Sequence, residues 1–150
     1  MRLSNDIFKC VIENTPLISI DIIVKKYDKI LLGKRINNPA KGFYFTTGGR
    51  IFKNETIKEA QIRIAKEELN LDIDIDKLQF IGVFEHFYND SIFENISTHY
   101  INLAYIYEIK DDIKTLPLKQ HNEYKWFSIE EILKNDKIYK YVKDYFKGNK

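Results

Sequence analysis

Residues 49–71 read GRIFKNETIKEAQIRIAKEELNL, and this stretch decides the fold. Thr56 followed by Glu59 has the spacing of a capping box, in which a hydroxyl and a carboxylate satisfy backbone N–H groups at a helix start. Asn70 suits the left-handed backbone that ends a helix, so a helix is predicted over Asn54 to Leu69. At about 100° per residue, with Ile57 at zero, Ala60, Ile64 and Ala65 gather into an apolar arc. Glu68 falls about 20° from Ile57, inside that arc. Arg63 and Glu67 line one edge, while Glu59 and Lys66 face away.

A carboxylate on a buried face needs a partner, because an ionised, unpaired one is strongly penalised or takes up a proton. A divalent cation or a fixed arginine resolves the conflict. A helix rotated by about 40°, or frayed before Glu68, resolves it by leaving the group in water. Just upstream, Thr47-Gly48-Gly49-Arg50 is expected to turn tightly, since paired glycines reach backbone conformations closed to other residues. Such a turn brings a main-chain carbonyl toward Glu68 and completes a hard-cation site of the kind magnesium prefers, with oxygen ligands at about 2.1 Å.

Outward from the helix, the upstream chain alternates as strands do. Leu17 to Val24 is one strand, Lys25 to Lys29 a polar turn, and Ile30 to Leu32 a second strand. Asn37 to Gly42 is a loop and Phe43 to Phe45 is strand-like. Downstream, strands near Leu78 to Phe87 and Tyr100 to Ile109 flank a polar loop, Tyr88 to His99. Asp72, Asp74 and Asp76 alternate with Ile73 and Ile75, which predicts a solvated strand face and lacks the glycine and remaining ligands of a calcium loop. Pro117 makes irregular backbone reasonable over 117–122. Glu123 to Phe127 is a short strand, and Ser128 with Glu131 repeats the capping-box spacing before a helical tail to about Phe146. Strands surrounding one strong central helix give an α/β class, a mixed sheet sandwiched between helices.

Composition bounds the function. The 150 residues suit one domain, 1–150, and the 24 Lys and Arg against 22 Asp and Glu leave +2, no footprint for nucleic acid. A 44% hydrophobic content with 6 Gly and 3 Pro excludes collagen-like and disordered chains. Cys10 is the only cysteine, so no internal disulfide forms. Apolar runs are as short as Ile22-Ile23-Val24, so no membrane span is expected, and without a signal peptide at the start the expected compartment is the cytoplasm.

Gly49, Glu55, Arg63, Ala65, Glu67, Glu68 and Leu71 stand in register with the box of the Nudix hydrolases, which the chain therefore resembles. Two positions depart. Asn70 replaces a Gly and keeps its backbone geometry; Ile64 replaces the Glu after the Arg and removes a carboxylate. Further segments, among them Leu32-Gly33-Lys34-Arg35, Asn38-Pro39-Ala40-Lys41-Gly42, His86-Phe87-Tyr88, Thr98-His99-Tyr100 and Gln120-His121, closely resemble the GDP-mannose mannosyl hydrolase branch, whose box is modified at that same Glu.

The resemblance implies an α/β/α sandwich and Mg2+-dependent cleavage of GDP-mannose, with GDP-glucose as a second substrate, to GDP and free sugar by inverting water attack at C1. It assigns the Gly48 carbonyl, Glu68 and Gln120 to magnesium and His121 to the general base. Arg35 and Arg50 contact the diphosphate, and Asp21, His86, Tyr88 and Tyr100 surround the sugar or diphosphate. Arg2, Leu3 and Phe8 match a substrate-binding start, with residues 1–16 an arm toward substrate or a homodimer partner. Arg63 supports the site through a charge pair. On residue type alone His86, His99 and His121 remain equal candidates for the base. A conventional pyrophosphatase releasing GMP and sugar 1-phosphate, and a non-catalytic nucleotide-sugar binder, are the competing readings.

Overall fold

The computed structural model describes residues 2–147. Helix α1 (Asn5–Asn14) precedes strands β1 (Leu17–Lys26), β2 (Lys29–Arg35), β3 (Tyr44–Phe45) and β4 (Thr47–Arg50). Helix α2 (Ile57–Leu69) follows, then β5 (Gln79–Tyr88), β6 (Thr98–Ile109), β7 (His121–Ser128) and short helices α3 (Ile129–Lys134) and α4 (Lys140–Asp144). The seven strands make one mixed sheet with the path β3-β2-β1-β6-β5, in which β1 and β6 run parallel and every other pair is antiparallel.

Two layers cover the sheet because β1 sends alternate residues to opposite faces. Ile20, Ile22 and Val24 pack against Ala60, Ile64, Ala65 and Leu69 of α2. Ile23 faces the other way, into a cluster with Ile132, Val142, Tyr145 and Phe146. The α/β/α sandwich is therefore the observed architecture.

The main cleft exists because β1 and β2 part company. They pair only at Lys25–Ile30 and Lys26–Lys29 beside their turn. Beyond it β1 takes β4 as its antiparallel neighbour, whereas β2 takes β7. The opening between the two arms of the sheet is where α2 ends and α1 docks.

Helix α2 forms as its sequence dictates, with both bonds of the Thr56–Glu59 capping box made and Asn70 left-handed at φ 52, ψ 39. Ile64 is buried in the core and Glu68 is half-buried on the same face. Four expectations are corrected. Thr47 to Arg50 is extended strand, not a tight turn: its glycines are required by close packing, since a Cβ on Gly48 would lie 2.2 Å from Asp21 Oδ1 and one on Gly49 3.1 Å from Ile64. The Asp72–Asp76 run is no strand, because Asp74 caps a 3-10 turn at Ile75–Lys77 and turns the chain. The helical tail is two helices, broken where Asn135 accepts from the Lys137 N–H. Irregular backbone ends at Gln120, since His121 already pairs with Arg35 in the sheet.

Candidate active site

A cleft of about 520 Å³ occupies the opening between the sheet arms. It brings together Arg2, Leu3, Phe8, Arg35, Gly48 and Arg50 with Glu68, Tyr100 and Gln120, from six separate parts of the chain. A smaller chamber of about 100 Å³ adjoins it, sharing Arg35, Gly48, Arg50 and Tyr100 and adding Asp21, His86 and Tyr88. Every residue expected at the site lines one of these two spaces except His121.

The box acids divide sharply by what they touch. Glu55 is clamped by Arg63, Nε to Oε2 at 2.6 Å and Nη2 to Oε1 at 2.9 Å, and also accepts the Phe52 N–H at 2.9 Å. The Arg63 hydrogen bond holds the Glu55 carboxyl below its ordinary range. Arg63 further donates to Glu67 at 2.8 Å and to the Arg50 carbonyl at 2.7 Å, with its guanidinium 3.8 Å above the Phe52 ring. Glu67 also receives Arg2, at 3.1 and 3.2 Å. Arg63 is thus a hub that fastens α2 to the strand before it. Among the described residues Glu68 makes none of these pairs. Burial, then the neighbouring Glu67 charge, pushes its carboxyl up to about 7 despite opposition from Arg35, Arg2 and Arg63.

The other oxygen donors suit a hard cation. Between β1 and β4 the Ile51 N–H donates to Ile18 O at 2.8 Å, so by the antiparallel alternation Arg50 and Gly48 occupy non-hydrogen-bonded positions whose carbonyls point away from β1. Arg50 confirms the direction, since its carbonyl receives Arg63. The Gly48 carbonyl lies two residues along the same edge, on the cleft that Glu68 and Gln120 also line. Carbonyl, carboxylate and carboxamide are the all-oxygen donor set that magnesium takes, with water and phosphate completing it. No three His, Cys, Asp or Glu side chains converge among the described residues.

Arg50 has no acid partner among the described residues. Its guanidinium lies 4.8 Å from the Phe8 ring and 5.0 Å from the Phe52 ring, and burial with the nearby Arg2 and Arg63 lowers its pKa. Phe8 comes from α1, which Ser4 caps and which docks on the same chain through Ile12, Leu17 and Ile96. The N-terminal segment is therefore a helix folded over its own cleft, a form the sequence reading missed.

In the inner chamber Asp21 is 7% exposed, and burial pushes its carboxyl up to about 6 against the hydrogen bonds it accepts. Those come from Thr46 Oγ1 at 2.8 Å and from the Tyr145 hydroxyl, both to Oδ2. Asn102 Nδ2 donates to the Tyr145 oxygen at 2.7 Å, and Ser19 Oγ donates to Asn102 Oδ1 at 2.8 Å. His86 is stacked on Tyr141 at 4.4 Å and 5°, and burial lowers it to about 4. Thr46, Asn102, Ser19, Tyr141 and Tyr145 were not anticipated. The one sequence signal was the spacing of the two tail tyrosines, which puts both on one helix face.

Gln120 and His121 part at the start of β7, one on the cleft and the other in the sheet. Gln120 is exposed on the cleft, where Asn37 Nδ2 reaches its Oε1 at 3.5 Å. His121 is 2% exposed, its ring so close over Gly33 that a Cβ there would stand 2.6 Å from His121 Cγ. Neither ring nitrogen has a hydrogen-bond partner among the described residues, and burial followed by the Arg35 charge lowers its pKa to about 4.

Known proteins agree with this architecture. The NUDIX domain model matches residues 15–146. The low-salt glycan biosynthesis protein Agl8 of Haloferax volcanii is 39% identical over 127 residues, covering 84% of this chain and 80% of that protein. An ADP-ribose pyrophosphatase of Methanocaldococcus jannaschii is 42% identical over 69 residues, 46% of this chain and 40% of that protein. Among solved structures, a MutT NUDIX hydrolase of Burkholderia pseudomallei superposes with a TM-score of 0.73 at 17% identity, covering 91% of this chain and 100% of that one, a likeness of fold.

Proposed function

The chain belongs to the Nudix family, and from that premise we propose that it hydrolyses a nucleotide sugar, GDP-mannose first and GDP-glucose second, at the sugar carbon. The carrying observation is the state of the box acids. Glu55 and Glu67 are committed to arginines and Ile64 fills the core, so among the box acids of the described residues Glu68 is the one left for a cation. One carboxylate is a thin basis for activating water at phosphorus and a sufficient one for anchoring a cation on a diphosphate leaving group. The name of the Haloferax relative, a glycan biosynthesis protein, supports a nucleotide-sugar substrate.

In this reading the Gly48 carbonyl, Glu68 and Gln120 would hold magnesium, which when bound would supply charge neutralisation for the leaving diphosphate. Arg35 and Arg50 reach the same anion as planar donors. Phe8, Leu3 and Arg2 hold the nucleotide end. The sugar occupies the inner chamber among Asp21, His86, Tyr88 and Tyr100, where burial keeps both tyrosines protonated as neutral donors. Water forms a bond to C1 from the face opposite GDP, the C1–O bond breaks with its electron pair leaving on GDP, and the water proton passes to a base. His121 is that base once the Pro117 to Gln120 segment turns its ring into the cleft. Neutral and with both nitrogens free, it is in the protonation state the step requires, and rehydration returns its basicity toward about 6.5. A homodimer is the proposed working unit, which sedimentation checks.

The Methanocaldococcus relative favours a second reading, pyrophosphate cleavage to GMP and sugar 1-phosphate. Turnover in 18O-labelled water separates the two. The proposal expects label in free mannose and an inverted anomer by early proton NMR; label in a phosphate product overturns it. His121→Ala is expected to lower kcat about a hundredfold or more while leaving magnesium affinity unchanged, and normal turnover would remove the base assignment.

A further inference from the structure

We propose that Tyr145, carried just beyond α4, is a positioning residue that fixes Asp21 so that only Oδ1 is presented to substrate. The inference rests on the reading of the inner chamber as the sugar site, and adds to it what the chamber selects for.

The proton directions leave one solution. Ser19 Oγ donates to Asn102 Oδ1 at 2.8 Å, so the Asn102 amide turns its Nδ2 to the Tyr145 oxygen at 2.7 Å. An amide nitrogen accepts nothing, so the Tyr145 proton goes on to Asp21 Oδ2, which also receives Thr46 Oγ1 at 2.8 Å. His86 Nε2 lies farther from the tyrosine, at 3.5 Å, and is a poorer acceptor than a carboxylate. The relay therefore runs Ser19, Asn102, Tyr145, Asp21 and ends on Oδ2 with both of its bonds filled. Oδ1 occupies the place a side chain on Gly48 would take, on the chamber wall. An Asp21 so held offers an acceptor and no donor. It admits a sugar hydroxyl and repels a phosphate oxygen, which sends the sugar inward and keeps the diphosphate at the arginines.

Tyr145 can set this angle because α4 is itself locked. Its ring meets Phe84 edge-on at 4.8 Å. Tyr141, one turn earlier, both donates to Phe87 O at 2.7 Å and accepts from Phe87 N at 2.9 Å, clipping the tail to β5. None of the relay groups except Asp21 and Ser19 lines the chamber, so Tyr145 acts through Asp21 and not on substrate.

The test is Tyr145→Phe, which keeps the ring and removes the hydroxyl, made alone and with Asp21→Asn. With GDP-mannose and magnesium, Tyr145→Phe is expected to lower kcat about 30-fold with KM within about threefold, and to change kcat by less than about twofold in the Asp21→Asn background. Multiplying losses would overturn the proposal, because a residue that only supports packing acts independently of Asp21. Crystal structures of the variant without substrate give a second arm: Asp21 is expected to rotate away from its wild-type position, and an unmoved Asp21 overturns the proposal. That arm stands even if the wild type leaves GDP-mannose intact, an outcome that would instead defeat the function proposed above. Should Tyr145→Phe not fold, Asn102→Ala removes the donor that directs the hydroxyl and is read in the same two ways.

Discussion

Gly48 and Gly33 mark places where one methyl group has no room. A Cβ on Gly48 would fall 2.2 Å from Asp21 Oδ1 and 2.6 Å from Ile20 O, so Gly48→Ala has to push β4 off β1 or displace Asp21. It is expected to cost about 2 kcal/mol or more of stability, by urea unfolding, and at least about a hundredfold in turnover. The acids make a sharper comparison. Glu68→Gln is expected to lower turnover about a hundredfold and raise the magnesium concentration for half-maximal rate, whereas Glu67→Gln costs less than about tenfold because its partners are Arg63 and Arg2. Equal losses from the two would contradict the single-acid reading. At this scale the sequence was partly legible. Fixed spacing put Gly49 and Glu68 in register with the Nudix box, the resemblance pointed to Gly48, and helix geometry alone put Glu68 on the inner face. It gave no sign that Gly48 is needed for close packing and not for a turn, because a glycine pair looks the same in either role. Adjacency alone left open whether Gln120 and His121 share a loop or part at a strand start, and Pro117 pointed to a loop through 122, whereas the strand begins at His121.

Among the elements, α2 works as a unit with the strand before it, and Arg63 is the joint. Arg63→Lys keeps the charge and loses the fork that engages Glu55 twice while reaching the Arg50 carbonyl. We expect a loss of about 2–4 kcal/mol in urea unfolding, and lower turnover with it, as Gly48 and Glu68 drift apart. Helix α1 supplies the ring beneath Arg50, so Phe8→Ala is expected to raise KM about tenfold with kcat nearly unchanged, measured by steady-state kinetics. The long, regularly patterned elements were the readable ones: α2 with its caps, and β1, β5 and β6 within a residue or two of their observed bounds. The helices at the two ends were less readable: α1 was not foreseen as a helix, and the break before α4 was not foreseen in the tail. Helix α1 has 10 residues and α4 only 5, too few for periodicity to stand out, and both are held by tertiary contacts formed from distant parts of the chain.

For the whole molecule, two carboxyls and two imidazoles pull stability in opposite directions. Asp21 and Glu68 have carboxyls raised to about 6 and about 7, so the folded state holds their protons more tightly than the unfolded chain; their contribution is full below the ordinary carboxylate range and is lost as pH rises through those values. His86 and His121 are lowered to about 4, so their contribution is full above about 6.5 and is lost as pH falls toward 4. The windows overlap between about pH 4 and 6.5, and the two trends largely offset. In EDTA the wild-type urea midpoint is expected to vary little across that range. Asp21→Asn with Glu68→Gln should uncover a fall on acidification, and His86→Phe with His121→Phe a rise. The same wholeness governs the order in which the enzyme can come into being. A nascent polypeptide that has left the ribosome only as far as β7 already owns its seven strands and the Nudix helix, yet lacks the rear wall that Tyr141 and Tyr145 provide. Competence therefore waits until α4 and Tyr145 have packed behind the sheet, where Tyr145 and Phe146 also complete the core, and only then does the inner acid keep its bearings.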